Sequence, residues 1–143
     1  MTDNVASNEE DAFVQIKNFL SFFPQNKYEL TQKIDCEDSI DRKEEELVSI
    51  VPKDRQRSYE MRDIVNLIFD KDSFFEMTKY FGRGIITGFA RINGYSVAIF
   101  ANDSNFYAGS MSAEGAQKTS RFIKLCDTSV SYTHLTLPTI YSV

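Results

Sequence analysis

Histidine occurs once in these 143 residues, as His134, and cysteine only twice, as Cys36 and Cys126. The two cysteines stand far apart, with no close pair and no neighbouring histidine to complete a zinc site, so both read as reduced structural thiols. No stretch approaches the roughly 18 apolar residues that cross a bilayer, and the polar, acidic opening Met1 to Asp11 is unlike a signal peptide. A cytoplasmic chain with no membrane segment is expected. Positive charge is not in excess either: the formal net charge is −5, which offers no basic field for nucleic acid. What the sequence does contain is 42% hydrophobic and 13% aromatic residues, enough for one globular core.

The order of elements follows from spacing. Ser7 with Glu10 matches a capping box, and Phe13, Ile16, Leu20 and Phe23 follow at helical intervals before Pro24, which predicts a helix from about Asn8 to Phe23. Residues 25–39 have no regular period and read as an extended connection. Asp41 is placed to cap a short helix through Val48, and the run Arg42-Lys43-Glu44-Glu45-Glu46 reads as a solvated face. Met61, Ile64, Val65 and Ile68 predict a further short helix ending near Asp70, whereas Phe74 to Phe81 is ambiguous between a short strand and irregular packing. The sharpest local signal is Asn93-Gly94 between two β-rich runs. Both residues tolerate positive φ, so paired strands are expected at about 84–92 and 95–101. A polar loop from Asn102 to Ser112 follows, then a helix over Ala113 to Cys126 with Ala116, Thr119, Ile123 and Cys126 along one face.

Residues Val130 to Thr139 read Val-Ser-Tyr-Thr-His-Leu-Thr-Leu-Pro-Thr. That string resembles the translation of a transposon-end adapter used in sequencing libraries. Residues 130–143 are therefore expected to be a non-native, adapter-derived tail, and the natural frame to continue past Thr128 or Ser129. His134 falls inside it. Without His134 no Ser/His or Cys/His nucleophilic pair can be assembled, and neither a P-loop nor a Gly-x-Gly-x-x-Gly fingerprint occurs. Gly82-Arg83-Gly84 is too short to cradle a phosphate and reads as a turn into the following strand. Asp70, Asp72 and Glu76 lack the remaining ligands and the glycine of a calcium loop, so no metal site is expected. The loop from Asn102 to Ser110 stands out, because it follows a buried strand and precedes a helix, where ligands of α/β layers gather. Its Phe106 and Tyr107 either stack on a flat ligand group or pack beneath neighbouring elements.

Several blocks resemble the carboxyltransferase (β) subunits of biotin-dependent acyl-CoA carboxylases and their decarboxylase relatives. They begin with Glu10-Asp11-Ala12-Phe13 and Phe19-Leu20-Ser21-Phe22-Phe23-Pro24, and resume at Asp38-Ser39-Ile40-Asp41-Arg42 and Ile50-Val51-Pro52. More specific are Tyr59-Glu60-Met61-Arg62-Asp63-Ile64, Asp72-Ser73-Phe74-Phe75-Glu76 and Gly88-Phe89-Ala90-Arg91-Ile92-Asn93-Gly94. Ala101-Asn102-Asp103 and Arg121-Phe122-Ile123-Lys124-Leu125-Cys126-Asp127 complete the set.

The resemblance implies an α/β fold, a partial crotonase-like spiral of β-β-α units preceded by a helix and an extended linker. It divides the chain into the end of a first carboxyltransferase half (1–24), a linker with a short helix (25–58), the start of a second crotonase-like half (59–129) and the tail. It implies transfer of a carboxyl group from carboxybiotin, carried on a partner, to the α-carbon of an acetyl- or propionyl-type acyl-CoA. A biotin carboxylase or biotin carboxyl-carrier subunit and a homo-oligomer of the full-length subunit are the implied partners. By its place after the second strand, the loop from Asn102 to Gly109 corresponds to the cofactor side, with Asn102, Phe106, Tyr107 and Gly109 as the expected contacts. Ser104 stands where that family commonly has proline, so the rigidity of this loop is not supplied by a proline. The glycine-rich segments that supply oxyanion donors in the family have no counterpart here, so no catalytic residue is assigned and the piece is expected to be inactive alone. The alternatives are a decarboxylase that moves the carboxyl group from acyl-CoA to biotin, and a non-enzymatic acidic binding or assembly module. Glycine-rich halves encoded on either side would favour an enzyme; stop codons beside Met1 and after Thr128 would favour the module.

Overall fold

The computed structural model describes residues 3–26, 29, 31–36, 38–39, 41–54 and 57–129. The expected tail, with His134, lies outside them. Helix α1 spans Glu9–Ser21. Its N-cap is Asn8, one residue beyond the expected Ser7: the Asn8 Oδ1 accepts from the Asp11 N–H at 2.8 Å, while Asp11 Oδ2 accepts from the Ser7 N–H and hydroxyl. A capping box is formed, shifted in register, and these donors hold the Asp11 carboxyl below its ordinary value.

After the irregular linker come α2 (Glu46–Ile50) and α3 (Met61–Ile68). No side chain caps α2, so Asp41 does not serve as its cap. Arg42 does not belong to a solvated face either. Its Nη2 donates to the Leu67 and Phe69 carbonyls at 2.7 Å each, and its Nη1 to Asp38 at 2.6 Å. A cation thus satisfies carbonyls at the end of α3, where the helix dipole favours it. Repetition of like charges masks such a contact in sequence.

Three strands make an antiparallel sheet in the order β1 (Phe75–Met77), β2 (Ile85–Ile92), β3 (Tyr95–Asn102). The ambiguous segment therefore resolves to a short strand, with Phe75 opposite Phe89 and Met77 opposite Thr87. β2 and β3 pair along their whole length, from Ile92 opposite Tyr95 to Ile85 opposite Asn102. Asn93 (φ 49°) and Gly94 (φ 79°) form the expected two-residue turn. Its amides are capped from α3's side of the fold, since the Asp70 carboxylate accepts both the Asn93 and Gly94 N–H at 2.8 and 2.7 Å. Partial burial opposes ionisation of Asp70, yet the Gly94 and Asn93 donors keep its carboxyl below the ordinary value. Gly94 is required for a second reason: a Cβ there would collide with the Ile34 carbonyl, because the linker docks on this turn.

Helix α4 (Ala113–Ser129) closes the order strand, strand, loop, helix. β2 is buried on both faces, from Ile85 to Arg91. On one side Phe89 and Met77 pack with Phe22 beyond the end of α1 and with Phe122 and Cys126 of α4. On the other, Ala90 and Ile99 pack with Val65 of α3. Phe89 is the centre of an aromatic group, with ring centroids 5.7 Å from Phe22, 5.1 Å from Phe23 and 5.3 Å from Phe122.

Two predicted faces are corrected. Phe13, Ile16 and Leu20 of α1 point outward, at 54%, 53% and 59% exposure, and the inward side is Phe19, Phe22 and Phe23. In α4 the inner face is Gly115, Lys118, Phe122 and Cys126, while Ala116 and Ile123 are exposed. In both helices apolar residues occur on more than one face, and the bulky phenylalanines that reach Phe89 decide which turns inward. Helix α1 therefore presents an apolar stripe to solvent.

Phe89→Ala is expected to lower unfolding stability by about 3–5 kcal/mol through loss of burial and the cavity left behind. Phe13→Ser is expected to change it by no more than about 0.5 kcal/mol and to raise solubility. Denaturant titration with a sedimentation assay checks both; equal destabilisation by the two substitutions would contradict this packing.

Candidate functional site

The segment between β3 and α4 is short, and its backbone is unusual. Tyr107 (φ 52°), Ala108 (φ 52°, ψ 32°) and Gly109 (φ 75°) lie consecutively in the left-handed region, forming a single 3-10 turn. Glycine accepts this conformation freely; tyrosine and alanine do not, at a cost of about 1–3 kcal/mol each. The turn is closed internally, since Asn102 Nδ2 donates to the Gly109 carbonyl at 2.7 Å and the Gly109 N–H to the Phe106 carbonyl at 3.0 Å. Asn102 and Gly109 are thereby brought together. Tyr107 stands out at 75% exposure, and Phe106 is half-buried with the Arg83 guanidinium 5.5 Å from its ring centroid. Gly84 lies beneath this loop, where a Cβ would come within 3.0 Å of the Ser110 carbonyl. The close approach, not phosphate binding, accounts for the second glycine of Gly82-Arg83-Gly84.

Ser104 does not leave the loop slack. Its hydroxyl accepts from the Tyr59 N–H at 3.1 Å and donates to the Tyr59 carbonyl at 2.8 Å. A proline stiffens a loop through φ; here two hydrogen bonds to a neighbouring segment do so. Beside it Asp103 is fully buried. Its Oδ1 accepts from the Asn105 N–H at 3.0 Å, and its Oδ2 accepts from Arg62 Nη1 at 2.6 Å. Arg62 also grips Glu76 of β1 through Nε (2.9 Å) and Nη2 (2.7 Å), and reaches Glu60 at 3.1 Å. These partners, Glu76 first, hold the guanidinium firmly protonated. Glu76 is thus an ion-pair partner, and it does not converge with Asp70, which caps the hairpin.

Lys118 of α4 completes the junction. It is 2% exposed, its Nζ donates to the Ile85 carbonyl at 2.7 Å, and burial pushes its pKa down to about 8, offset in part by Glu76 and Asp103 and reinforced by Arg62. Arg62, Asp103 and Lys118 lie outside the contacts expected from sequence. The available signal was the charged residues inside apolar blocks, Arg62 before Ile64-Val65 and Asp103 directly after a buried strand.

Elsewhere, Cys36, Asp38 and Asp70 place one ligand atom each within 4.8 Å of one another. Arg42 already neutralises Asp38 and two backbone amides occupy Asp70, so the group is held by protein contacts. Cys36 and Cys126 are free thiols, and burial raises Cys126 to about 11, which keeps it protonated and unreactive. Among the described residues, no helix is long and apolar enough to cross a membrane.

A β-hairpin, a tied loop and a covering helix define one β-β-α unit of an α/β layer. The Carboxyl transferase domain family matches residues 1–131, and the chain belongs to that family. It is 37% identical over 119 residues to the propionyl-CoA carboxylase carboxyltransferase subunit of Haloferax mediterranei, covering 83% of this chain and 23% of the relative. It is 36% identical over 122 residues to the methylmalonyl-CoA decarboxylase subunit alpha of Veillonella parvula, covering 85% and 24%. Among solved structures, the transcarboxylase 12S hexamer core with methylmalonyl-coenzyme A and methylmalonic acid bound superposes with a TM-score of 0.83 at 31% identity, covering 89% of this chain and 24% of that one. A single-chain, multi-domain long-chain acyl-CoA carboxylase superposes at 0.75 with 27% identity, covering 88% and 12%. The fold is therefore part of a crotonase-like carboxyltransferase. The chain spans about a quarter of the length of the curated relatives it matches.

Because the folded pKa of Lys118 lies below the ordinary lysine value of 10.5, the unfolded chain holds the additional proton between the two. This group's contribution to stability is then expected to rise as pH climbs from about 8 to 10.5. Lys118→Met should abolish that rise in a pH series of unfolding free energies. An unchanged slope would show that Lys118 titrates normally.

Proposed function

We propose that this chain is a piece of a biotin-dependent acyl-CoA carboxyltransferase, and that its Asn102–Gly109 loop faces biotin. The family match over residues 1–131, with the 12S superposition, is the observation that carries the reading. Carboxybiotin, held on a biotin carboxyl-carrier partner, supplies the carboxyl group. When bound, it would offer its N1-linked carboxyl group to the α-carbon of an acyl-CoA, and Asn102, Phe106, Tyr107 and Gly109 are the residues that would hold its ring. Negative charge developing on the thioester and ureido oxygens would call for preorganised N–H donors. No catalytic histidine is needed.

The residues present fit the binding part of this task. Tyr107 offers an exposed aromatic face at a rigid turn, Phe106 forms the loop's flank under Arg83, and Asn102 and Gly109 close its base. A flat bicyclic ring suits such a surface. The proposed division is a first-half terminus at 1–24, a linker at 25–58 and the opening of a second half at 59–129, with 130–143 as an adapter-derived tail. Action in the cytoplasm and a homo-oligomeric parent subunit belong to the same proposal. The near-equal identities to a carboxylase and a decarboxylase subunit, 37% and 36%, favour a shared step of carboxyl exchange between acyl-CoA and biotin in either direction.

The test is a chimera in which residues 9–128 replace the matching segment of the Haloferax mediterranei carboxyltransferase subunit. Propionyl-CoA carboxylation is expected within about tenfold of the parent, equivalent to ~1.4 kcal/mol on the barrier. A correctly assembled chimera with no transfer in either direction would overturn the proposal.

A further inference from the structure

The strained turn at Tyr107 and Ala108 persists only if its surroundings over-determine it. Its internal ties, from Asn102 to Gly109 and from Gly109 to Phe106, close the loop but do not orient it on the molecule. Apart from the Asp103 N–H, which donates to the Gly84 carbonyl at 2.9 Å and continues the sheet pairing, the polar ties of residues 103–105 to the rest of the molecule run to one short segment, residues 59–62. Ser104 makes two bonds with Tyr59, Asn105 Nδ2 donates to Glu60 at 3.0 Å, and the buried Asp103 carboxylate accepts from Arg62. Arg62 is in turn fixed to the sheet by its two-point grip on Glu76 of β1. The placement of the loop thus depends on a relay from β1 through α3.

We infer that Arg62 and Ser104 are positioning residues that dock the Asn102–Gly109 loop onto residues 59–62 and hold its Tyr107 turn in the geometry that receives the ligand. This rests on the reading of that loop as the biotin-facing one. Arg62 acts through a charge-assisted fork that lysine cannot reproduce, because a single ammonium cannot grip both Glu76 oxygens and Asp103 with the same planarity. Ser104 acts through one hydroxyl that both donates and accepts. Threonine keeps that capacity and alanine does not.

The experiment uses the full 143-residue chain, with amide hydrogen exchange read residue by residue and a titration with free biotin followed by amide chemical shifts. Ser104→Ala removes two hydrogen bonds and is expected to speed exchange in residues 103–109 by about tenfold or more. Exchange at Phe89 and Ala90 in β2 should stay unchanged, the biotin-induced shifts at Tyr107 and Gly109 should weaken, and Ser104→Thr should restore both. Arg62→Lys is expected to act in the same direction more strongly. If Arg62→Lys fails to fold, the Ser104 pair still decides the matter. Unchanged loop exchange in Ser104→Ala, or loosening spread evenly over β2 and the loop, would overturn the inference. Faster loop exchange in a chain whose wild type shows no biotin-induced shift would sustain the docking role and reject the biotin-facing reading instead.

Discussion

The half-buried grip of Arg62 on Glu76 and on the fully buried Asp103 is the interaction on which the arrangement depends. Asp103 is completely buried, and a carboxylate so placed is tolerated only with full hydrogen bonding and a countercharge. Arg62 supplies the charge, the Asn105 amide supplies a further donor, and Lys118 adds a second cation to the neighbourhood. Two cations thus face the Glu76 and Asp103 carboxylates where α3, β1, the end of β3 and α4 meet, with the more exposed Glu60 at the rim. Such a junction adds less net stability than an apolar one of equal volume. It specifies, however, which groups must face each other.

The same constraint explains why a strand with both faces covered can end in a strained loop. β2 is locked by Phe89 on one face and Ala90 on the other, which sets β3 in register through Asn102. One residue beyond, Asp103 turns the chain inward to Arg62, and the left-handed residues Tyr107 to Gly109 reverse it toward α4. The aromatic core provides the rigidity and the polar junction the direction. At the opposite end of β2, Arg91 performs an analogous service, donating to the Ser21 carbonyl at the end of α1 while lying 4.8 Å from the Phe22 ring centroid.

What local pattern encodes was legible. The Asn93-Gly94 hairpin follows from two residues that accept positive φ, and the presence of the helices from apolar spacing, although neither Ser7 nor Asp41 is the cap. The loop after β3 was recognisable as special from its position alone. Less legible were the choices among equivalent faces: α1 carries Phe13, Ile16 and Leu20 on one side, while Phe19 and, just beyond its end, Phe22 and Phe23 lie on the other, and spacing cannot rank them. Arg42 looked like one more charge in a solvated run, yet it closes the end of α3 through contacts 25 and 27 positions away.

The sequence by itself determined the order of strand, turn, strand, loop and helix, together with membership of the carboxyltransferase family, because backbone preferences and long ordered blocks are written along the chain. Tertiary structure alone decided that Ser104 stiffens the loop through Tyr59, that Asp103 is buried against Arg62, and that Lys118 loses basicity. Those outcomes depend on desolvation and on pairings 41 to 45 positions apart, quantities that exist only once the chain has closed on itself.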